Sequence, residues 1–242
     1  MPTEPFLGIA DPFSMLTHGL GAALVLAFSG RLIARGRGRD ARLALAVFAG
    51  SCALVLATSS VYHVFGHDTA VGAIFRRLDH AAIFVLIAAT LTPVHAILFR
   101  GPWRGAVLVG VWSAVAIAIP LKTAFFDAVP ESIGLSIYLV MGWLGAGSVW
   151  ILWRNLGFAF VRPALAGGLA YTLGALVGVA GAPNPLPGVI GSHELFHCAS
   201  LVGVWLFWRF MSAVAAAPAV GRPFALDASR TEAGTGSREN TA

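Results

Sequence analysis

The sequence predicts an all-α protein, an integral membrane bundle of seven transmembrane helices. Two observations predict it. Of the 242 residues, 57% are hydrophobic and only 11% are charged, against about 25% charged in a soluble domain. The apolar residues also gather into seven runs, each near the roughly 20 residues that a helix needs to cross the hydrocarbon layer. A mean hydropathy of +0.80 agrees. A soluble enzyme carrying one anchor does not have this distribution.

The first run extends from about Phe13 to Ile33 and is followed by an arginine-rich break at Arg35, Arg37, Arg39 and Arg42. The second covers Leu43 to about Phe65, and the third about Leu78 to Phe99, with Pro93 near its far end. The fourth covers Trp103–Leu121, the fifth Ser132–Trp153, the sixth Pro163–Gly181 and the seventh Val189–Met211. Residues 1–12 form an N-terminal segment and 13–213 the membrane domain. The polar stretch 214–242, rich in Gly, Ser, Thr and Arg, is expected to be disordered. The N-terminus lacks the positive region of a cleavable signal peptide. Trp103, Trp150, Trp153, Trp205 and Trp208 lie near segment ends, where interfacial anchors sit. Gly174 and Gly178 form a GxxxG pair, read as close packing within the bundle.

The cations are arginines apart from Lys122. They punctuate the apolar runs and form no basic helix, so nucleic acid is not an expected partner and membrane lipids are. With alternating helices, one membrane face holds the N-terminus and only Arg76, Arg77 and Lys122 of the sixteen cations. The other face holds thirteen. The positive-inside rule then puts the N-terminus outside and the C-terminus in the cytoplasm. Cys52 and Cys198 both lie inside apolar runs and suggest no disulfide framework.

The seventh run opens with His193-Glu194-Leu195-Phe196-His197. Histidines four apart share one helix face, and polar rings enter a bilayer only when satisfied inside the protein. The second run ends in Ser59-Ser60-Val61-Tyr62-His63, which puts Ser59 and His63 on one face. Asp79 opens the third run. Topology places these three segment ends at one membrane face. Three imidazoles with an open fourth position are a catalytic zinc geometry. The predicted metal ligands are therefore His63, His193 and His197, holding Zn²⁺. Water on zinc has a pKa near 7, and Asp79 would accept its proton as general base. Ser59 would orient that water or polarise a substrate carbonyl. The adjacent Arg76 and Arg77 would attract an anionic headgroup or mark the interface.

His193–His197 also fits the H-E-x-x-H pattern, which would make Glu194 the general base of a zinc protease. Glu194, however, points about 100° away from His193. Cys198 is turned by the same angle from His197 and is not an expected ligand. His18, His67, His80 and His95 are read as hydrogen-bonded packing residues. Of these, His18 lies at the site's face.

Six segments together resemble the hemolysin III family, the bacterial branch of the progestin and adiponectin receptor group, itself related to alkaline ceramidases. They are THGLG from Thr17, SSVYH from Ser59, LDHAAIFVLIAATLTP from Leu78, YLVMGW from Tyr138, GGLAYTLGA from Gly167 and HELFH from His193. The resemblance spans roughly Asp11 to Trp208. It implies zinc held by His63, His193 and His197, Asp79 on the zinc-bound water, Ser59 in the same site, and a bacterial inner (plasma) membrane. The family's first motif has Glu and Asn before its His; here Asp11 and Ser14 stand in those places. The adiponectin receptors have a cytoplasmic N-terminus, whereas the charge count here places it outside.

The expected function is metal-dependent hydrolysis of a lipid amide or ester, with a lipid as substrate. The alternatives are a membrane-perturbing hemolysin-type protein and a receptor-like bundle with structural zinc. Nothing in the sequence sets an oligomeric state.

Overall fold

The computed structural model describes residues 7–66 and 69–220. Among them the chain forms eight helices: α1 (Pro12–Ala34), α2 (Arg39–Phe65), α3 (Ala70–Pro93, continued by a π-helical turn at Val94–Leu98), α4 (Pro102–Ala124), α5 (Glu131–Trp143), α6 (Ala146–Leu156), α7 (Phe158–Ala180) and α8 (Ser192–Ala216). Helices α5 and α6 follow one another in a single span, Ser132–Leu156, so seven spans are long and apolar enough to cross a membrane. Gly145 lies at the break between them, and a Cβ there would stand 2.9 Å from Leu91 Cδ2. Glycine both weakens the helix and lets it approach α3.

The helix starts depart most from the sequence expectation. Helix α3 begins at Ala70, eight residues before Leu78. Thr69 caps it, its hydroxyl accepting the Gly72 amide at 2.9 Å. Asp79 therefore does not open a helix but lies nearly three turns inside one. Helix α2 begins at Arg39 rather than Leu43, and α7 at Phe158 rather than Pro163. Gly157, at φ +84°, turns the chain from α6 directly into α7. Charge in a first turn is tolerated, and Pro163 lies inside α7, where it removes one backbone donor without ending the helix. The seventh span starts at Ser192, not Val189, and ends at Ala216, past the expected 213. The Val220 amide then donates to the Leu98 carbonyl at 2.8 Å. Residues 221–242, with the disorder expected of them, and His67 lie outside the described residues.

Short connections make α1/α2, α2/α3 and α7/α8 antiparallel packed neighbours. The main core joins Leu45, Phe48, Cys52 and Leu56 of α2 to Phe210, Met211 and Val214 of α8. A second cluster links α3, α4 and α5 through Phe84, Val115 and Tyr138. Val115 is the single residue that α4 buries, so α4 lies at the bundle's periphery. Helices α7 and α8 approach closely at glycines. A Cβ at Gly174 would lie 2.6 Å from the Ala199 Cβ, and one at Gly203 would lie 2.7 Å from the Tyr171 ring. The GxxxG face thus packs inside the bundle, and Gly174 is its tight half: a Cβ at Gly178 would meet Phe196 at an ordinary 3.6 Å.

Candidate metal centre

Two helices bring three imidazole nitrogens together. Nε2 of His197 lies 3.0 Å from Nε2 of His63 and 2.9 Å from Nε2 of His193. His193 and His197 are one turn apart in α8, and His63 stands on the last turn of α2. His63 and His197 are about 5% exposed; His193 is exposed. A tetrahedral ion with Zn–N bonds of about 2.0–2.1 Å sets its ligand nitrogens roughly 3.3 Å apart. The observed spacing needs only a few tenths of an ångström of relaxation.

The protonation pattern fits an ion better than a hydrogen-bonded triad. Nδ1 of His63 lies 3.2 Å from Oδ2 of Asp11. A carboxylate only accepts, so His63 donates from Nδ1; in the neutral ring this turns the Nε2 lone pair inward. Nδ1 of His197 lies 3.1 Å from Nε2 of His18. A proton on His197 Nδ1 likewise leaves its Nε2 as a lone pair. Lone pairs facing each other inside a protein call for a cation between them. The ligand-bearing rings are held by edge contacts: His63 and His193 each lie T-shaped or tilted against their neighbours, with the His18 and His197 centroids 4.4 Å apart.

Asp11 has two roles. As N-cap of α1, its carboxylate accepts the Ser14 amide at 3.0 Å, and it also anchors the His63 ring. Burial works against its charge, but hydrogen bonds from His63 and Ser14 outweigh burial and hold its carboxyl down at about 2. The resemblance placed Asp11 in the family's first motif without giving it a role, and the spacing of residues set His18 down as a hydrogen-bonded packing residue. His18 is indeed buried, at 4% exposed, and hydrogen-bonded, and its partner is the candidate ligand His197. A signal was present. Asp11 and His18 are seven residues apart, two helical turns, and so share a face.

Asp79 and Ser59 line a cavity of about 620 Å³ together with His18, His63, His193 and His197. The Asp79 carboxylate faces Ser59 and His63. Ser59 Oγ is buried beside it, short of a well-formed hydrogen bond among the described residues. A buried hydroxyl so placed suits a water or a substrate oxygen. From the histidines the cavity follows α8 to Phe210, about 25 Å at the helical rise. Its walls are mostly apolar, with Leu86, Leu139, Val204 and Phe207 among them.

Other expectations resolve locally. Glu194 is buried, and its carboxylate accepts the Gly191 amide at 2.6 Å at the start of α8. Its oxygens also come near Asp11 and His193, yet both carboxylates already serve as caps. Cys198 lies outside the converging group. His95 is fully buried, bonds Ser148 Oγ at 3.0 Å through Nε2 and stacks on Phe99, while its buried Nδ1 makes no hydrogen bond among the described residues. His80 Nδ1 bonds the Arg76 carbonyl at 2.8 Å.

Fold and site together define a class: a heptahelical membrane protein with a histidine-rich candidate metal centre set into the bundle. Its family follows from comparison with known proteins. The model of the family described as haemolysin-III related matches residues 9–208, and the chain belongs to that family. It is 34% identical over 167 residues to Hemolysin-3 of Bacillus cereus, covering 66% of this chain and 74% of that one. To the Hemolysin-3 homolog of Bacillus subtilis (strain 168) it is 32% identical, covering 66% and 76%. To the heptahelical transmembrane protein ADIPOR2 of Oryza sativa subsp. japonica it is 31% identical over 177 residues, covering 67% and 76%. The last match joins it to the progestin and adiponectin receptor group.

Proposed function

We propose that this chain is a zinc-dependent hydrolase of a lipid amide or ester, working inside the membrane. The observation that carries the reading is the Nε2 atoms of His63 and His193, each within about 3 Å of His197 Nε2, at one end of a long apolar cavity. Zinc on His63, His193 and His197 would supply the Lewis acid for the carbonyl and an acidified water. Borderline-soft zinc suits an all-imidazole set. Asp79 takes the proton from the attacking water and returns it to the departing amine or alkoxide. Ser59 donates to the carbonyl or steadies the water. The apolar walls hold the acyl chain and exclude bulk water. By the positive-inside count, this centre faces the extracytoplasmic side of a bacterial inner membrane.

The test pairs metal content with turnover. Purified protein is expected to carry about one zinc per chain and to cleave a member of a panel of long-chain amides and esters, and His193→Ala is expected to lose both. Zinc-free protein whose turnover survives His193→Ala would sink the reading. The printed name of the Bacillus cereus relative raises membrane permeabilisation as a second reading. The apolar cavity opposes it, since aqueous pores have polar linings. Leakage from liposomes that is unaffected by the histidine variants would favour it.

A further inference from the structure

The geometry points to an anion site at the mouth of this cavity, formed by Arg76 and Lys122, that takes the carboxylate or phosphate of an anionic acyl lipid. The inference deepens the hydrolase reading and rests on it for the position of the scissile bond. Three cations from two helices crowd onto one buried aromatic ring. The Arg76 and Arg77 guanidiniums lie 4.9 and 5.5 Å from the Phe126 centroid, and Lys122 Nζ lies 4.7 Å from it. Like charges are brought this close against their repulsion, which the ring and the Arg77–Asp127 ion pair help to offset.

The three differ in surroundings. Arg77 points outward and pairs with the exposed Asp127 at 2.8 Å. Arg76 and Lys122 instead line the cavity that holds His63, Asp79 and His193. Arg76 is half-buried and makes no ion pair among the described residues. Lys122 is the chain's one lysine. Space is kept for its ammonium by Gly134, where a Cβ would lie 3.1 Å from Nζ. His80 braces the arrangement, its ring 5.0 Å from Phe126 and its Nδ1 on the Arg76 carbonyl.

Arg76 precedes Asp79 by three residues. The two therefore share a face of α3, with about 4.5 Å of helical rise between them. An anion on Arg76 lies a few bonds from a carbonyl held at Asp79 and Ser59. Guanidinium is the side chain best suited to grip a carboxylate or phosphate with two parallel hydrogen bonds. The implied substrate has an acyl chain along the apolar walls, its amide or ester at Asp79, and its negative group just beyond. Acylated amino acids and acylated glycerol phosphates share that chemistry.

The test uses the full chain in a neutral detergent and ligands it cannot hydrolyse. Hexadecyl phosphate is compared with an uncharged hexadecyl glycerol ether in equilibrium binding. Wild type is expected to prefer the phosphate by about tenfold or more, the worth of one charged hydrogen bond. Arg76→Gln should remove that preference, Arg76→Lys restore part of it, and Arg77→Gln keep it. His193→Ala should keep it too, because the anion does not sit on the histidines. A preference that survives Arg76→Gln, or that disappears in His193→Ala, overturns the site. Hexadecyloxyacetate and the uncharged 2-(hexadecyloxy)ethanol, ethers with no amide or ester, run in parallel and separate a carboxylate from a phosphate ligand. Absent turnover with the preference intact removes the hydrolase reading alone; turnover of neutral and anionic amides alike, equally in wild type and Arg76→Gln, removes the anion site alone.

Discussion

Nδ1 of His197 lies 3.1 Å from Nε2 of His18, a residue 179 positions earlier in the chain. The contact ties the first helix to the last across the candidate metal centre. Groups that accept from the far nitrogen of a metal-bound histidine fix its tautomer and ring orientation.

His18→Ala is expected to weaken metal binding by about 10–100-fold, the usual cost of losing such a partner. Competition against a chromophoric chelator measures it. The visible spectrum of the cobalt-substituted protein should shift as well, which loss of packing alone would not cause. Unchanged affinity and spectrum would show that His18 only fills space.

Asp11 allows its two roles to be separated. Asparagine caps a helix about as well as aspartate, whereas alanine costs about 1 kcal/mol at an N-cap. Asp11→Asn should therefore keep most of the stability and still lower metal affinity, because the charge behind His63 is gone. Asp11→Ala should lose both. Thermal melts beside metal titrations distinguish the two outcomes, and equal affinity in both variants and wild type would refute the link to His63.

Asp79→Asn is expected to cut turnover by about 10²–10⁴-fold while leaving zinc content near one per chain. Asp79 lines the cavity but stands outside the three converging nitrogens. Ser59→Ala should cost less, since a hydroxyl that orients water is partly replaceable. Loss of zinc in Asp79→Asn would instead make Asp79 a ligand.

Gly174→Ala should destabilise the bundle by roughly 1–3 kcal/mol, because overpacking forces α7 away from α8. Its added methyl would meet Ala199, two residues after His197, at 2.6 Å. Gly178→Ala should be nearly neutral, its nearest contact being 3.6 Å. Unfolding monitored in detergent micelles checks the pair, and equal effects would mean that the two helices are not locked at Gly174.

The histidine set was legible because periodicity and topology suffice for it. His193 and His197 at i, i+4 share a face, and His63 ends a segment at the same membrane surface. The start of α3 was not legible in the same way. Arg76, Arg77 and Asp79 read as a helix edge, but Thr69 caps the helix earlier and the charged residues sit within it. The break at Gly145 was equally hidden, since the close approach to Leu91 that accompanies it involves a side chain on another helix. His18 and Asp11 had the right spacing, but nothing local says that His197 and His63 are what they meet.

The sequence by itself determined the number of spans, the all-helical class and the residues that can bind a metal. Each of these follows from apolar run length and side-chain chemistry, which are local properties. Only the tertiary structure decided that Asp11 and His18 stand behind the ligands, that Glu194 is spent on a helix cap, and that Arg76 and Lys122 share a cavity with Asp79. Those facts depend on how the helices are rotated and how deep each one sits. Rotation and depth are set by contacts between distant residues, such as Gly174 against Ala199 and Gly203 against Tyr171.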